Sequence, residues 1–389
     1  MKSDREKSSA RPRRRRPGPL LAGAVIAAAG LVFGGVTAAV AHGDGGGRHH
    51  HERSGRLDHI FVIMLENHSK SSVIGDANAP YLTSLAHTYG MASNYYGVTH
   101  PSMPNYIATI AGDNFGIQDD NVDNVVNLDR TNLVDQLASR HISWDAYMED
   151  LPADKLADNG PVFDGAAQPL YAKKHNPFVL FDDVKNNPAR MSHVRDYTRL
   201  GSDLNSRHAP QFVWITPNQC NDMHGGVSAT IPNHPETPCP FGITKDDPND
   251  AALKAKADAF VKGAVTTIKD SRAWTRHSAI VIVTDENDFT GNEETGGWES
   301  AVGCCDSPYV GKGDPRVSAD WPGGTYGGGL IPAIVVTACG PRHVTDSTPF
   351  NHYSLLTTIE NNWHLGHIGH AGDYANGVVP MNRLFYGHH

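Results

Sequence analysis

Ile60-Phe61-Val62-Ile63-Met64-Leu65-Glu66-Asn67 is the stretch that decides the fold. Six consecutive apolar residues of this length read as a buried strand, and the run empties into an acid and an amide. Further along, Ala279-Ile280-Val281-Ile282-Val283-Thr284 empties in the same way into Asp285-Glu286. Open α/β sheets keep their sites at the carboxyl ends of their strands. If the sheet sets these two ends side by side, Glu66, Asn67, Asp285 and Glu286 offer hard oxygen ligands to one divalent cation, whose identity the sequence leaves open. Each pair could instead be a solvated strand-end turn. Carboxylates placed directly after a fully apolar strand, however, need a partner if the strand end is covered.

Working outward, apolar runs alternate with amphipathic ones. Pro80 to Tyr89, Asn132 to Arg140 and Asn351 to Trp363 read as helices, the last with Asn351 as cap. Leu253, Ala257, Phe260, Val261, Ala264, Val265 and Ile268 mark the clearest amphipathic helix. Ile142 to Tyr147, Gln211 to Thr216 and Leu330 to Thr337 read as further strands. Strand, helix, strand alternation predicts an α/β domain with a mostly parallel central sheet flanked by helices. Residues 149–210 and 286–329, rich in Gly, Pro, Asp and Asn, are expected to be long loops around the site.

The domain is expected to run over 57–389. Before it, Arg11 to Arg16 form a basic stretch, Leu20 to Val36 an apolar run, and Ala39-Val40-Ala41 an A-x-A site, so 1–41 reads as a cleaved export signal. An uncleaved anchor is the alternative. Residues 42–56, with His49-His50-His51, read as a Gly- and His-rich spacer. Residues 1–41 hold eight Lys and Arg against two Asp and Glu, a charge of +6. Taking that from the whole-chain −9 leaves about −15 for the rest, which disfavours nucleic acid or an anionic membrane face as partner. Export permits disulfides. Cys220 with Cys239 closes a short loop and is the expected pair. Cys304 or Cys305 is expected to pair with Cys339, because a bridge between adjacent cysteines would be strained.

Ser102 lies in His100-Pro101-Ser102-Met103-Pro104-Asn105-Tyr106, ahead of the apolar run Ile107 to Ala111. Pro104 suits the first turn of a helix, so Ser102 is expected at a helix N-terminus, where free N–H groups and the dipole favour an anion. A plain N-cap serine is the bland alternative. A nearby metal would make Ser102 a nucleophile. The G-x-S-x-G elbow of ordinary esterases is absent. A third cluster follows Gln211 to Thr216: Asn218, Asn221, Asp222 and His224. His352 opens the last helix, and His68 and His100 flank the first two clusters, with His100 a candidate substrate contact.

Taken together, Leu65-Glu66-Asn67-His68-Ser69, the His100 to Tyr106 segment, Asn221-Asp222-Met223-His224, Thr284-Asp285-Glu286 and Asn351-His352-Tyr353-Ser354-Leu355-Leu356 resemble the phosphoesterase family that joins acid phosphatases to phospholipases C in the alkaline-phosphatase-like superfamily. The resemblance implies that Glu66, Asn67, Ser102, Asp285 and Glu286 hold a divalent metal and that Ser102 is also the nucleophile. It further implies that Asn105, Asp222, His224 and His352 line a phosphate pocket. Phospholipase C members typically continue the first motif with Phe-Asp and the carboxylate motif with His-Gly-Gly. Here the chain reads Ser69-Lys70-Ser71 and Asn287-Asp288-Phe289, which points to the acid-phosphatase branch.

The sequence therefore predicts a secreted, metal-dependent phosphomonoesterase acting through a phosphoserine on a small phosphate monoester, without nucleic acid and without stable membrane association after signal cleavage. His224 or His352 would protonate the leaving oxygen. The rivals are a phospholipase C type phosphodiesterase and a non-catalytic, metal-stabilised exported binding protein.

Overall fold

A computed structural model describes residues 56–156, 170–242, 247–288, 300–317 and 321–386. The chain divides into two units, 1–52 and 53–389, and every described residue lies in the second. The expected leader over 1–41 and the spacer up to residue 55 fall outside the described residues.

The main strands are β1 His59–Leu65, β2 Gly90–Tyr96, β3 Trp144–Met148, β4 Val194–Asp196, β5 Phe212–Thr216, β6 Ser278–Thr284, β7 Leu330–Thr337, β8 Val344–Asp346 and β9 Phe350–Asn351. The principal helices are α1 Pro80–Thr88, α2 Ser102–Ala111, α3 Leu133–Ser139, α4 Pro248–Lys269 and α5 His352–Trp363. The strands form one sheet in the order β8-β2-β7-β6-β1-β5-β3-β4, with β9 also paired to β2. β1 lies parallel between β5 and β6. Within this sheet, among the described residues, only β7 runs against its neighbours. The expected α/β architecture with a mostly parallel sheet is what the chain adopts.

β1 is apolar throughout because both of its faces are covered. Ile60, Val62 and Met64 pack with Met103, Tyr106 and Ile107 of α2 and with Leu355, Leu356 and Ile359 of α5. Phe61, Ile63 and Leu65 point the other way, into Leu82 and Leu85 of α1 and Ala257, Val261 and Val265 of α4. The alternation of successive side chains across the sheet thus joins two helix layers through one strand. Each buried aliphatic side chain contributes about 1.5–3 kcal/mol of burial.

Helix ends follow local chemistry. Asp247 caps α4 by accepting from Asn249 N, with Pro248 in the first turn. Asn351 accepts from Tyr353 N and Ser354 N at 3.0 and 3.3 Å, which fixes the start of α5. One strand leaves no clear sequence pattern, and one expectation about loops is corrected. β2 was not foreseen, since Gly90-Met91-Ala92-Ser93-Asn94-Tyr95-Tyr96 has a broken alternation, and its pairing with β7 shifts register between Ala92 and Tyr95. The described part of 149–210 is no plain loop either. It holds β4 and short helices at Asp182–Lys185, Pro188–Met191 and Leu200–Leu204.

Cys220 and Cys239 are bonded as expected. The second expected pair is overturned, because Cys304 is bonded to Cys305 and Cys339 is free and exposed. The topology explains it. β7 runs antiparallel, so Cys339, just beyond its end, emerges at the sheet edge opposite the strand ends that carry the site. Cys304 and Cys305 sit at that other edge, where the Asn351 amide donates to both of their carbonyls at 3.2 and 3.0 Å. Among the described residues, no helix is long and apolar enough to cross a membrane.

Candidate active site

β1 and β6 pair in register up to Leu65 and Thr284, so Glu66 and Asp285 leave the sheet side by side. Asp285 N donates to Leu65 O at 3.0 Å, extending the ladder by one step. Asn67 then turns with a positive φ of 36°, a conformation tolerated best by Gly and Asn. Its N–H donates to Asp285 Oδ1 at 3.0 Å, and Glu286 N donates to the same oxygen at 2.7 Å. Both strand ends are therefore locked to each other through one carboxylate.

Ser102 is the first residue of α2, with Pro101 in the capping position. Its hydroxyl does not cap the helix. Oγ donates toward Glu66 Oε2 at 3.0 Å and lies 3.3 Å from both Glu286 Oε1 and Asn67 Oδ1. The inward end of the Asn67 amide lies 3.0 Å from Glu66 Oε2 and 3.2 Å from Glu286 Oε1. Without a cation, an amide facing oxygens alone would present its nitrogen there. An amide oxygen in that place, among two carboxylate oxygens and a hydroxyl, is a donor set for a hard divalent cation. Asp285 Oδ2, buried and without a hydrogen-bond partner among the described residues, adds one more oxygen. These residues fit a bound divalent cation.

Electrostatics agree. Burial lifts the Glu66 carboxyl well above the usual range, with the Asp285 charge adding to it. Asp285 is lifted by burial and by Glu286, and Glu286 by burial and by Asp120. Such a cluster holds its charge only if a positive group offsets it.

The other expected residues are placed differently. His352 is wholly buried behind the cluster: Nε2 donates to Asp285 O at 2.6 Å and Nδ1 faces the Tyr95 hydroxyl at 3.2 Å. Burial pushes it down to about 4. The same carbonyl is pressed by Gly97, where a Cβ would lie 2.8 Å from it. Asn105 spends its amide on the 98–101 segment, accepting from Val98 N and Thr99 N and donating to Thr99 O, with Glu286 Oε2 3.2 Å away. His100 Nδ1 meets Glu286 Oε2 at 2.9 Å, and burial pushes it down to about 4. Asp222 accepts from His224 N at 2.7 Å and faces His175 Nδ1 at 3.5 Å. His224 donates from Nδ1 to Gly225 O at 2.9 Å, and burial holds it near 3. His68 joins Glu66 O to Asp250, 3.2 and 2.7 Å away.

Three residues at this centre escaped the sequence reading. His175 Nε2 is 3.2 Å from Glu66 Oε1, and its ring stacks on Tyr106. Lys174 Nζ is 2.7 Å from Asp120 Oδ2 and 3.4 Å from His224 Nε2. Asp120 Oδ1 in turn accepts from Met103 N at 2.9 Å. Lys173–His175 is a short helical turn in a segment read as loop. The one signal available was Lys173-Lys174-His175 directly ahead of the apolar Phe178-Val179-Leu180-Phe181, a charged run that the following buried residues pull inward.

The phosphoesterase family model matches residues 76–234 and 242–366. The chain belongs to the phosphoesterase family. A probable acid phosphatase of Kluyveromyces lactis is 27% identical to this phosphoesterase over 314 residues, 80% of this chain and 60% of that one. A phosphatidylinositol-3-phosphatase of Mycobacterium tuberculosis is 33% identical over 171 residues, 44% of this chain and 53% of that one. The match spans less than two thirds of either relative's own length. A Bacteroides thetaiotaomicron structure from work on glycosaminoglycan metabolism shares the fold, with a TM-score of 0.50 at 12% identity over 86% of this chain and 82% of that one. Glu66 and Asn67 lie ahead of the matched segments, so their place in the candidate site rests on the geometry above.

Proposed function

We propose that this phosphoesterase is a secreted, metal-dependent phosphomonoesterase of the acid-phosphatase kind, with Ser102 as nucleophile. The observation that carries the reading is the Ser102 hydroxyl, buried at the start of α2 and turned away from capping toward the oxygens of Glu66, Asn67 and Glu286. A structural cage has no use for a hydroxyl there, which weighs against a non-catalytic binding protein.

Glu66, Asn67, Ser102, Asp285 and Glu286 would hold the cation, which when bound supplies a Lewis acid for a phosphoryl oxygen and for the serine hydroxyl. Ser102 Oγ attacks phosphorus at the positive end of the α2 dipole. Its proton passes to solvent, since Glu66 Oε2, 3.0 Å away, would be occupied by the cation. The Oγ–P bond forms as the bond to the departing oxygen breaks, and water reverses the geometry to release phosphate. His224 and His352 do not face a leaving group with a free N–H. An aryl oxide leaves without one, and a poorer leaving group takes its proton from solvent. Asn105 and His100 orient Glu286, while His352 orients Asp285.

The acidic composition favours a small soluble ester over nucleic acid or anionic lipid. The test is kcat/KM for an aryl phosphate monoester against the corresponding diester and dispersed phosphatidylcholine, with one metal-loaded preparation. A higher value for the monoester supports the reading, and the opposite order moves the protein to the phospholipase C branch.

A further inference from the structure

The candidate centre has a charge imbalance. Three carboxylates, Glu66, Asp285 and Glu286, surround the place for one divalent cation, which leaves the loaded centre with a net negative charge before any substrate arrives. A phosphate monoester dianion adds two more. Some further positive group has to face the phosphoryl oxygens, or the monoester would be repelled more strongly than the diester.

We propose that Lys174 is that group: its ammonium binds a terminal phosphoryl oxygen beside Ser102 and selects the doubly charged monoester over the singly charged diester. The inference rests on the phosphoesterase reading above and adds the residue that sets its substrate class.

The placement supports it. Asp120 clamps Lys174 to the nucleophile's helix, taking the ammonium on Oδ2 at 2.7 Å and the N–H of Met103, the residue after Ser102, on Oδ1 at 2.9 Å. On the other side His224 spends its Nδ1 proton on Gly225 O, so Nε2 presents a lone pair to Nζ at 3.4 Å. An ammonium has three N–H donors, and these two partners account for two. Both are fixed by backbone contacts, so the third points from a rigid mount. Burial by itself would lower the Lys174 ammonium, but Asp120 and Glu66, then Glu286, more than offset it and hold it above the usual lysine range. The side chain remains 12% exposed, so an incoming anion can reach it.

Lys174 also explains a neighbouring feature. Glu66, His175 and His224 bring ligand atoms within 4.8 Å of one another, a grouping able to hold a second cation. An ammonium next to His224 Nε2 opposes that by repulsion and supplies fixed charge in its place.

The experiment compares metal-loaded wild type with Lys174→Met and Lys174→Arg, with folding of each checked by thermal unfolding. Metal per chain, the Kd of inorganic phosphate, and kcat/KM for 4-nitrophenyl phosphate and bis(4-nitrophenyl) phosphate are read. One metal per chain is expected throughout. In Lys174→Met, phosphate binding weakens and monoester kcat/KM falls by roughly 100-fold, the scale of losing one charged donor to a developing anion, while the diester falls by less than about 10-fold. Lys174→Arg keeps the wild-type preference. Equal losses on both esters, unchanged phosphate affinity in Lys174→Met, or a second metal bound by wild type would each overturn the proposal. If Lys174→Met does not fold, loss of monoester preference in the charge-keeping Lys174→Arg overturns it. Absence of any ester hydrolysis by wild type would instead sink the phosphoesterase reading itself.

Discussion

His352 Nε2 donates to the backbone carbonyl of Asp285 at 2.6 Å, so the first side chain of α5 holds the peptide that carries two of the candidate ligands. Tyr95 closes the other ring nitrogen. This makes His352 a positioning residue. His352→Ala is predicted to weaken metal binding by about 10- to 100-fold, as loss of a supporting contact does. Calorimetric metal titration checks it, together with rates on esters of graded leaving-group pKa. Unchanged metal affinity with a steeper leaving-group dependence would return His352 to the role of general acid.

Metal affinity should depend on pH with a definite sign. Burial and mutual repulsion raise the carboxyls of Glu66, Asp285 and Glu286 in the metal-free site, so that site takes up protons that a cation must displace. Affinity is predicted to rise with pH across the interval above the ordinary carboxylate range. Asp285→Asn and Glu66→Gln should lower bound metal and turnover together with the fold retained. Stoichiometric metal in both variants, by elemental analysis, would refute the ligand set.

Glu360 on α5 offers a stability test away from the site. Its Oε1 accepts from Gln136 Nε2 at 2.9 Å and Ile368 N at 3.0 Å, and burial pushes its carboxyl up to about 8. A carboxyl raised on folding contributes stability that is fully present below its unfolded pKa and is lost as pH rises through the folded value. The loss is at most about 1.4 kcal/mol per pH unit in that window. Glu360→Gln, which cannot ionise, is predicted to flatten the fall of Tm between pH 5 and pH 8, as read by thermal unfolding.

The sheet and the acids at its strand ends were legible because burial on both faces leaves a signature in single sequences. β1 and β6 are apolar runs, and the polar residues that interrupt them sit at the sheet's carboxyl edge. Residues that reach the centre from irregular segments leave no such trace. Lys174 and His175 come from a short turn, and Asp120 from the stretch after α2, where neither periodicity nor strand end marks a position. The roles of Asn105 and His352 were obscured for another reason. A motif shows that a residue belongs to the site, but whether it faces the pocket or braces a ligand is set by long-range contacts such as Tyr95 to His352. The Cys304–Cys305 bond was missed because the strand direction of β7, which carries Cys339 away, is invisible in its own composition.

The central claim is that Ser102 carries the phosphoryl group. The most direct measurement is acid quenching of the metal-loaded enzyme during turnover of an aryl phosphate, followed by mass-spectrometric mapping of the peptide containing Ser102. The account predicts phosphate on Ser102 in wild type and none in Ser102→Ala, whose turnover falls by several orders of magnitude while bound metal persists. Phosphate on another residue, or near-normal turnover by Ser102→Ala, would contradict it.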